Sequence, residues 1–123
     1  MLRAGDFFTG PYPPGSGKKR RFFILTDEAS NHCTVVWVFT STEMNDLSCI
    51  IFANEHSQIT QDCTVIYGEA TIADANDIRA GVASGALQPH PPLATNILRR
   101  AFDALFLSPE TPYEVLDYCA ELD

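Results

Sequence analysis

Lys18-Lys19-Arg20-Arg21-Phe22-Phe23-Ile24-Leu25-Thr26 and Cys33-Thr34-Val35-Val36-Trp37-Val38-Phe39-Thr40 decide the fold. Both runs are rich in β-branched and aromatic residues, and the turn formers Asp27-Glu28-Ala29-Ser30-Asn31 separate them, so they read as neighbouring antiparallel strands. The second run lacks clean polar–apolar alternation, which predicts a central strand covered on both faces. Working outward, Asp6-Phe7-Phe8 opens an earlier strand that stops at Gly10-Pro11-Tyr12-Pro13-Pro14-Gly15-Ser16-Gly17, where prolines and glycines exclude helix. Downstream, Ser48–Phe52 follows a polar loop carrying Asn45-Asp46, and Thr64–Ile72 completes at least five strands. Gly68 inside the last run predicts a bulge or sharp bend, as small curled sheets need.

From residue 73 the pattern changes to helical. Asp74 is placed to cap a helix that contains Ile78 and Val82 and ends at Gly85. Gln88-Pro89-His90-Pro91-Pro92 reads as a stiff connector. Leu93, Ile97, Ala101 and Leu105, flanked by Leu98 and Phe102, form one apolar stripe at helical spacing. Thr111-Pro112-Tyr113-Glu114 reads as a helix start with Thr111 at the cap, after which Val115, Leu116, Cys119 and Leu122 face the core. The fold class is therefore α+β: a small antiparallel barrel over residues 1–72, with two or three C-terminal helices over 73–123 packed on it in a single domain.

Charge narrows the function classes. Of the 123 residues, 8 are Lys or Arg and 16 are Asp or Glu, a net charge of −8. Residues 1–21 hold five basic residues against Asp6 alone (+4), whereas residues 22–123 hold three basic against fifteen acidic (−12). This excludes a generic nucleic-acid coat and an anionic-membrane binder, and confines any polyanion contact to the N-terminal third. No apolar run approaches the roughly eighteen residues of a membrane span, and the first twenty residues lack a signal core, so a soluble cytoplasmic protein is expected. Cys33, Cys49, Cys63 and Cys119 are widely spaced and without a C-x-x-C pair. They read as reduced, buried small hydrophobes, with neither a zinc site nor a disulfide expected.

Gly15-Ser16-Gly17-Lys18-Lys19 has the look of a phosphate loop, but a strand rather than a helix follows it, so that reading fails. The basic run is either a solvated guard of the strand edge or a phosphate site. Strand alternation sends Arg20 and Arg21 to opposite faces, so only one of them can share a site with a given neighbour. Thr40-Ser41-Thr42 closes the central strand; its hydroxyls serve the turn or, beside an arginine, a charged transition state. His32, His56 and His90 lack acidic or cysteine partners at catalytic spacing and read as surface loop residues, which leaves no dyad for a cysteine or histidine hydrolase.

Taken in order, Gly5-Asp6, the Pro/Gly loop, Lys19-Arg20-Arg21-Phe22-Phe23-Ile24-Leu25-Thr26, Thr40-Ser41 and the Ile59–Val65 stretch resemble the MazF/PemK-like toxins of type II toxin–antitoxin systems, over residues 4–72. The resemblance implies an SH3-like barrel and a bacterial endoribonuclease that cleaves single-stranded RNA without metal or other cofactor. By that resemblance Arg20, Arg21, Thr40 and Ser41 are the catalytic candidates. Arg20 matches best by its spacing to Leu25 and Thr26, and Arg21 takes the place of the family's proline. Lys18, Lys19, Gly15 and Gly17 belong to the segment that closes over RNA. The implied partners are single-stranded RNA and an antitoxin protein. Apart from the resemblance, no membrane contact is expected, and a homodimer is, because small barrels often pair and Phe106 and Leu107 near a helix end offer apolar area. The competing expectation is a non-catalytic SH3-like barrel that binds a protein or peptide through its acidic helices or through Phe7, Phe8 and Tyr12.

Overall fold

The computed structural model describes residues 1–17, 19–40 and 46–122. Six strands form one antiparallel sheet: β1 (Phe7–Gly10), β2 (Arg20–Ile24), β3 (His32–Thr40), β4 (Ile50–Ile51), β5 (Cys63–Asp74) and β6 (Gln88–His90), in the order β4-β5-β3-β2-β1-β6. Helix α1 (Ala75–Ser84) precedes β6, and α2 (Thr95–Leu105) and α3 (Tyr113–Ala120) follow it. The class is α+β, and the sheet curls into a half-barrel.

Curling has a local cause. On β5 the register with β3 jumps from Trp37↔Ile66 to Val35↔Thr71, so the Tyr67–Ala70 segment bulges out of the ladder around Gly68, the residue expected to mark a bend. Extra residues on one strand sharpen its twist and bend the sheet around the helices. On the concave side Phe7, Phe23, Val36, Val38, Val65 and Tyr67 pack with Ile97, Ala101 and Leu105 of α2 and Val115 and Cys119 of α3. Tyr67 is fully buried and donates its hydroxyl proton to the Ala101 carbonyl at 2.7 Å, tying the bulge to α2. On the other side Phe8, Phe22, Ile24, Val35 and Trp37 pack with Ile78 of α1. Strand β3 thus feeds two cores, which is why its residues are apolar without alternating.

All four cysteines are free and buried, as expected of small hydrophobes. Asp74 caps α1 by accepting the Asn76 N–H, and Gly85 ends it at φ 84°, both as expected. Three expectations are corrected. Gln88-Pro89-His90 is a strand rather than a connector, and it lies on the outer edge of β1, where Pro89 forfeits no second ladder. Thr111 does not cap α3; Pro112 stands there, and the Thr111 hydroxyl instead donates to the Leu105 carbonyl, closing the end of α2. Leu122 lies beyond α3 and is exposed, because the helix stops before its stripe reaches that position.

Candidate functional site

The basic run enters the sheet at the start of β2. There the rung Thr9↔Arg21 joins β1 to β2, and the rung Arg21↔Val38 joins β2 to β3. Directly opposed residues point to the same face, so Thr9, Arg21 and Val38 form a row on the concave side, where Val38 belongs to the core. Continuing the register by two residues in each direction brings Lys19 opposite Thr40 on that same side. At this end of the sheet a hollow of about 220 Å³ is lined by Thr9, Lys19, Arg21 and Val38, and also by Arg20 and Phe39 of the other face.

Arg21 is half-buried, and one guanidinium nitrogen donates to the Gln58 carbonyl at 3.0 Å. Gln58 is itself fixed: its N–H donates to His56 Nδ1 at 3.0 Å, which leaves the His56 Nε2 proton for the Pro91 carbonyl. The His56 ring is buried and stacks on Phe7 with centroids 4.1 Å apart. Arg21 therefore hangs from a braced loop, and among the described residues its guanidinium, which carries five donors, makes this one hydrogen bond. Next to it, Thr9 Oγ1 and His90 Nε2 share a hydrogen bond of 2.8 Å. Burial and the neighbouring His56 together hold the His90 imidazole below the usual histidine range.

Arg20 belongs to the opposite side. Its guanidinium lies over the rings of Trp37 (5.2 Å) and Phe39 (4.6 Å), and Glu69 takes two of its N–H groups at 2.7 and 3.3 Å. Glu69 reaches it from the β5 bulge, so the pair clamps β2 to the bent strand across β3. A second hollow, of about 500 Å³, opens on this side between Lys19, Arg20, Phe39 and Glu69. The charge of Arg20 is compensated there, whereas Arg21 meets no carboxylate among the described residues.

This geometry sorts the candidates. The matching of Arg20 with Thr40 is corrected: Arg20 shares the face of Phe39, and Thr40, the next residue, points the other way. One residue of register decides the matter, and it brings Thr40 to the face of Arg21. Lys19 is exposed beside both residues, and Thr40 is exposed at the end of β3. Gly15 and Gly17 hold φ of 82° and 76° in an open loop where a Cβ would meet nothing within 4 Å. Lys18 and Ser41, together with Thr42 and Asn45 of the adjoining loop, lie outside the described residues.

Sequence reasoning missed Thr9, His56 and His90. His56 is buried rather than superficial, and His90 is a strand residue. The one available signal was the short aromatic strand Phe7-Phe8-Thr9, whose alternation sets Thr9 on the face of Phe7. Among the described residues no cluster of three metal-ligating side chains occurs, and no helix is long and apolar enough to cross a membrane. No protein-family model matches the chain, and no curated protein matches it.

Proposed function

We propose that the chain is a MazF/PemK-like, toxin-type endoribonuclease on an SH3-like barrel, cleaving single-stranded RNA without metal through Arg21 and Thr40. One observation carries this reading: an arginine without a carboxylate partner among the described residues and an exposed threonine share the concave face of adjacent strands, and the arginine lines a small hollow with Lys19.

Such an enzyme needs little chemistry of its own, because the attacking group is the RNA 2′-OH. Its work is to hold the phosphate and to stabilise the extra negative charge of the pentacoordinate phosphorus. Arg21 suits that work, since its planar fork matches two phosphate oxygens and its stem is already ordered by Gln58. The Thr40 hydroxyl adds a neutral donor, and Lys19 a point charge for the flanking phosphate. A hollow of about 220 Å³ admits one phosphodiester rather than a duplex, and the acidic remainder of the chain repels a longer RNA footprint. Few phosphate contacts imply a shallow salt dependence. An antitoxin segment with carboxylates near its anchor would neutralise the same hollow, and exposed Phe106 and Leu107 offer area for a second copy.

The test is incubation of the purified chain with end-labelled single-stranded RNA in EDTA. Cleavage to fragments ending in 2′,3′-cyclic phosphate, with the matching DNA untouched, is the expected result. Intact RNA across varied sequences overturns the proposal and favours the second reading, a non-catalytic barrel for a protein or peptide. What speaks for that reading is the compensation of Arg20 by Glu69 beneath the exposed ring of Phe39.

A further inference from the structure

On the concave face the pair Thr9–His90 has no part in holding the phosphate. Thr9 lines the Arg21 hollow, and its hydroxyl is 2.8 Å from His90 Nε2 on the neighbouring edge strand. Phe7, directly opposite His90 in the β1–β6 ladder, meets the His90 ring edge-on at 6.3 Å and holds its plane. A histidine is thus aimed, from an edge strand, at a threonine that borders a phosphate-sized hollow. Bare threonine is a poor base, but a threonine whose proton can leave to an imidazole is a competent one.

We propose that Thr9 and His90 form a proton relay that serves the Arg21 hollow, with Thr9 as the catalytic group and His90 as the residue that activates it. This rests on the endoribonuclease reading and adds the base that reading lacks. In the step, the substrate 2′-O–H bond breaks and its proton passes to Thr9 Oγ1, while the Thr9 proton passes to His90 Nε2. The freed 2′-oxygen forms its bond to phosphorus, the bond from phosphorus to the 5′-oxygen breaks, and that oxygen leaves with a proton from water. His90 ends as imidazolium and returns its proton to solvent. The relay requires the resting His90 to be neutral, with its proton on Nδ1 and Thr9 donating to Nε2.

The surroundings suit a neutral imidazole. The charged and titratable groups around it are His56 from the β4–β5 loop, Arg21 beyond Thr9, and Asp6 and Arg79, which line an edge hollow together with His90. Arg79 is ion-paired with Glu28, so its charge is already matched. His56 has both ring nitrogens spent on Gln58 and Pro91. It is therefore a brace and not a second base.

The test is the pH dependence of RNA cleavage by wild type, His90→Gln, Thr9→Val and Thr9→Ser. His90→Gln and Thr9→Val are each expected to lower kcat about 100-fold with KM little changed, and the double variant to be no worse than either alone. Thr9→Ser, which keeps the hydroxyl, is expected to retain most activity. Wild-type kcat should fall at acidic pH as His90 protonates, and His90→Gln should lack that limb. A His90→Gln enzyme within about threefold of wild type, or one that keeps the acidic limb, overturns the relay while leaving the nuclease reading intact. Wild type that never cleaves RNA overturns the nuclease reading and the relay with it. Histidine ¹⁵N shifts test the relay without reference to turnover, since a proton found on His90 Nε2 overturns it whatever the activity.

Discussion

Arg21→Ala is expected to lower kcat for RNA cleavage by about 100- to 1,000-fold, whereas Arg20→Ala is expected to lower it less than fivefold and to cost about 1–2 kcal/mol of stability. The contrast follows from the two faces of β2. Arg21 donates to the Gln58 carbonyl and lines the hollow beside Thr9 and Val38, without a carboxylate partner among the described residues. Its removal takes away the charge that stands on the rung beside Thr9, while the Phe7–His56 stack and the rest of the concave core stay in place. Arg20 instead links β2 to Glu69 in the β5 bulge while stacking on Trp37 and Phe39. Its side chain is only 16% exposed, whereas that of Glu69 is 48% exposed, so the ion pair is partly screened and its share of the cost is modest. Glu69→Gln should reproduce the stability loss of Arg20→Ala, in smaller measure, and leave cleavage unchanged. Steady-state cleavage and chemical denaturation on the three variants check this. Equal loss of activity in both arginine variants would mean that the site is not confined to one face.

Gly10→Ala is expected to destabilise the fold by about 3 kcal/mol or more, lowering Tm by about 10 °C or more. Gly10 ends β1 at φ +144°, a conformation that side chains avoid. A Cβ there would stand 2.4 Å from the Ala86 carbonyl oxygen and 2.9 Å from the Leu87 side chain. Backbone cannot yield that distance without parting β1 from the turn that leads into β6. Because β6 carries His90 against Thr9, the same shift would loosen the concave site. Gly15→Ala is the control: its φ is also positive, at 82°, but nothing lies within 4 Å of the added carbon, so the cost is strain alone, about 1 kcal/mol. Melting curves decide the matter, and a Gly10→Ala protein melting within about two degrees of wild type would show that the turn yields freely.

Much of the sheet was legible because strand composition and turn residues act locally. The apolar run from Cys33 to Thr40 announced a strand with two cores, and Gly68 announced the bulge, since each follows from a residue type in its own segment. Strand β6 was not legible. Gln88-Pro89-His90 has no strand propensity, and it pairs only because the α1 turn delivers it to the open edge of β1. Capping divided the same way: Asp74 acts on its own helix, whereas Thr111 turns back to the helix before it. At the site, residue types pointed to the basic run and the end of β3, but face assignment needs register, and register is set by pairing across strands. Hence Arg20 and Arg21 could be distinguished only once Val38 was known to oppose Arg21. Thr9 and His90 are 81 positions apart, and no spacing rule joins them.

Side-chain NMR during titration with a single-stranded RNA made uncleavable by a 2′-deoxy sugar at the scissile position tests the central claim most directly. The Thr9 and Thr40 methyl signals and the Arg21 Nε–H are expected to shift together and saturably, while the Phe39 ring and the Arg20 Nε–H stay nearly still. Shifts confined to Arg20, Phe39 and Glu69, or none at any RNA concentration, would contradict an RNA site on the concave face.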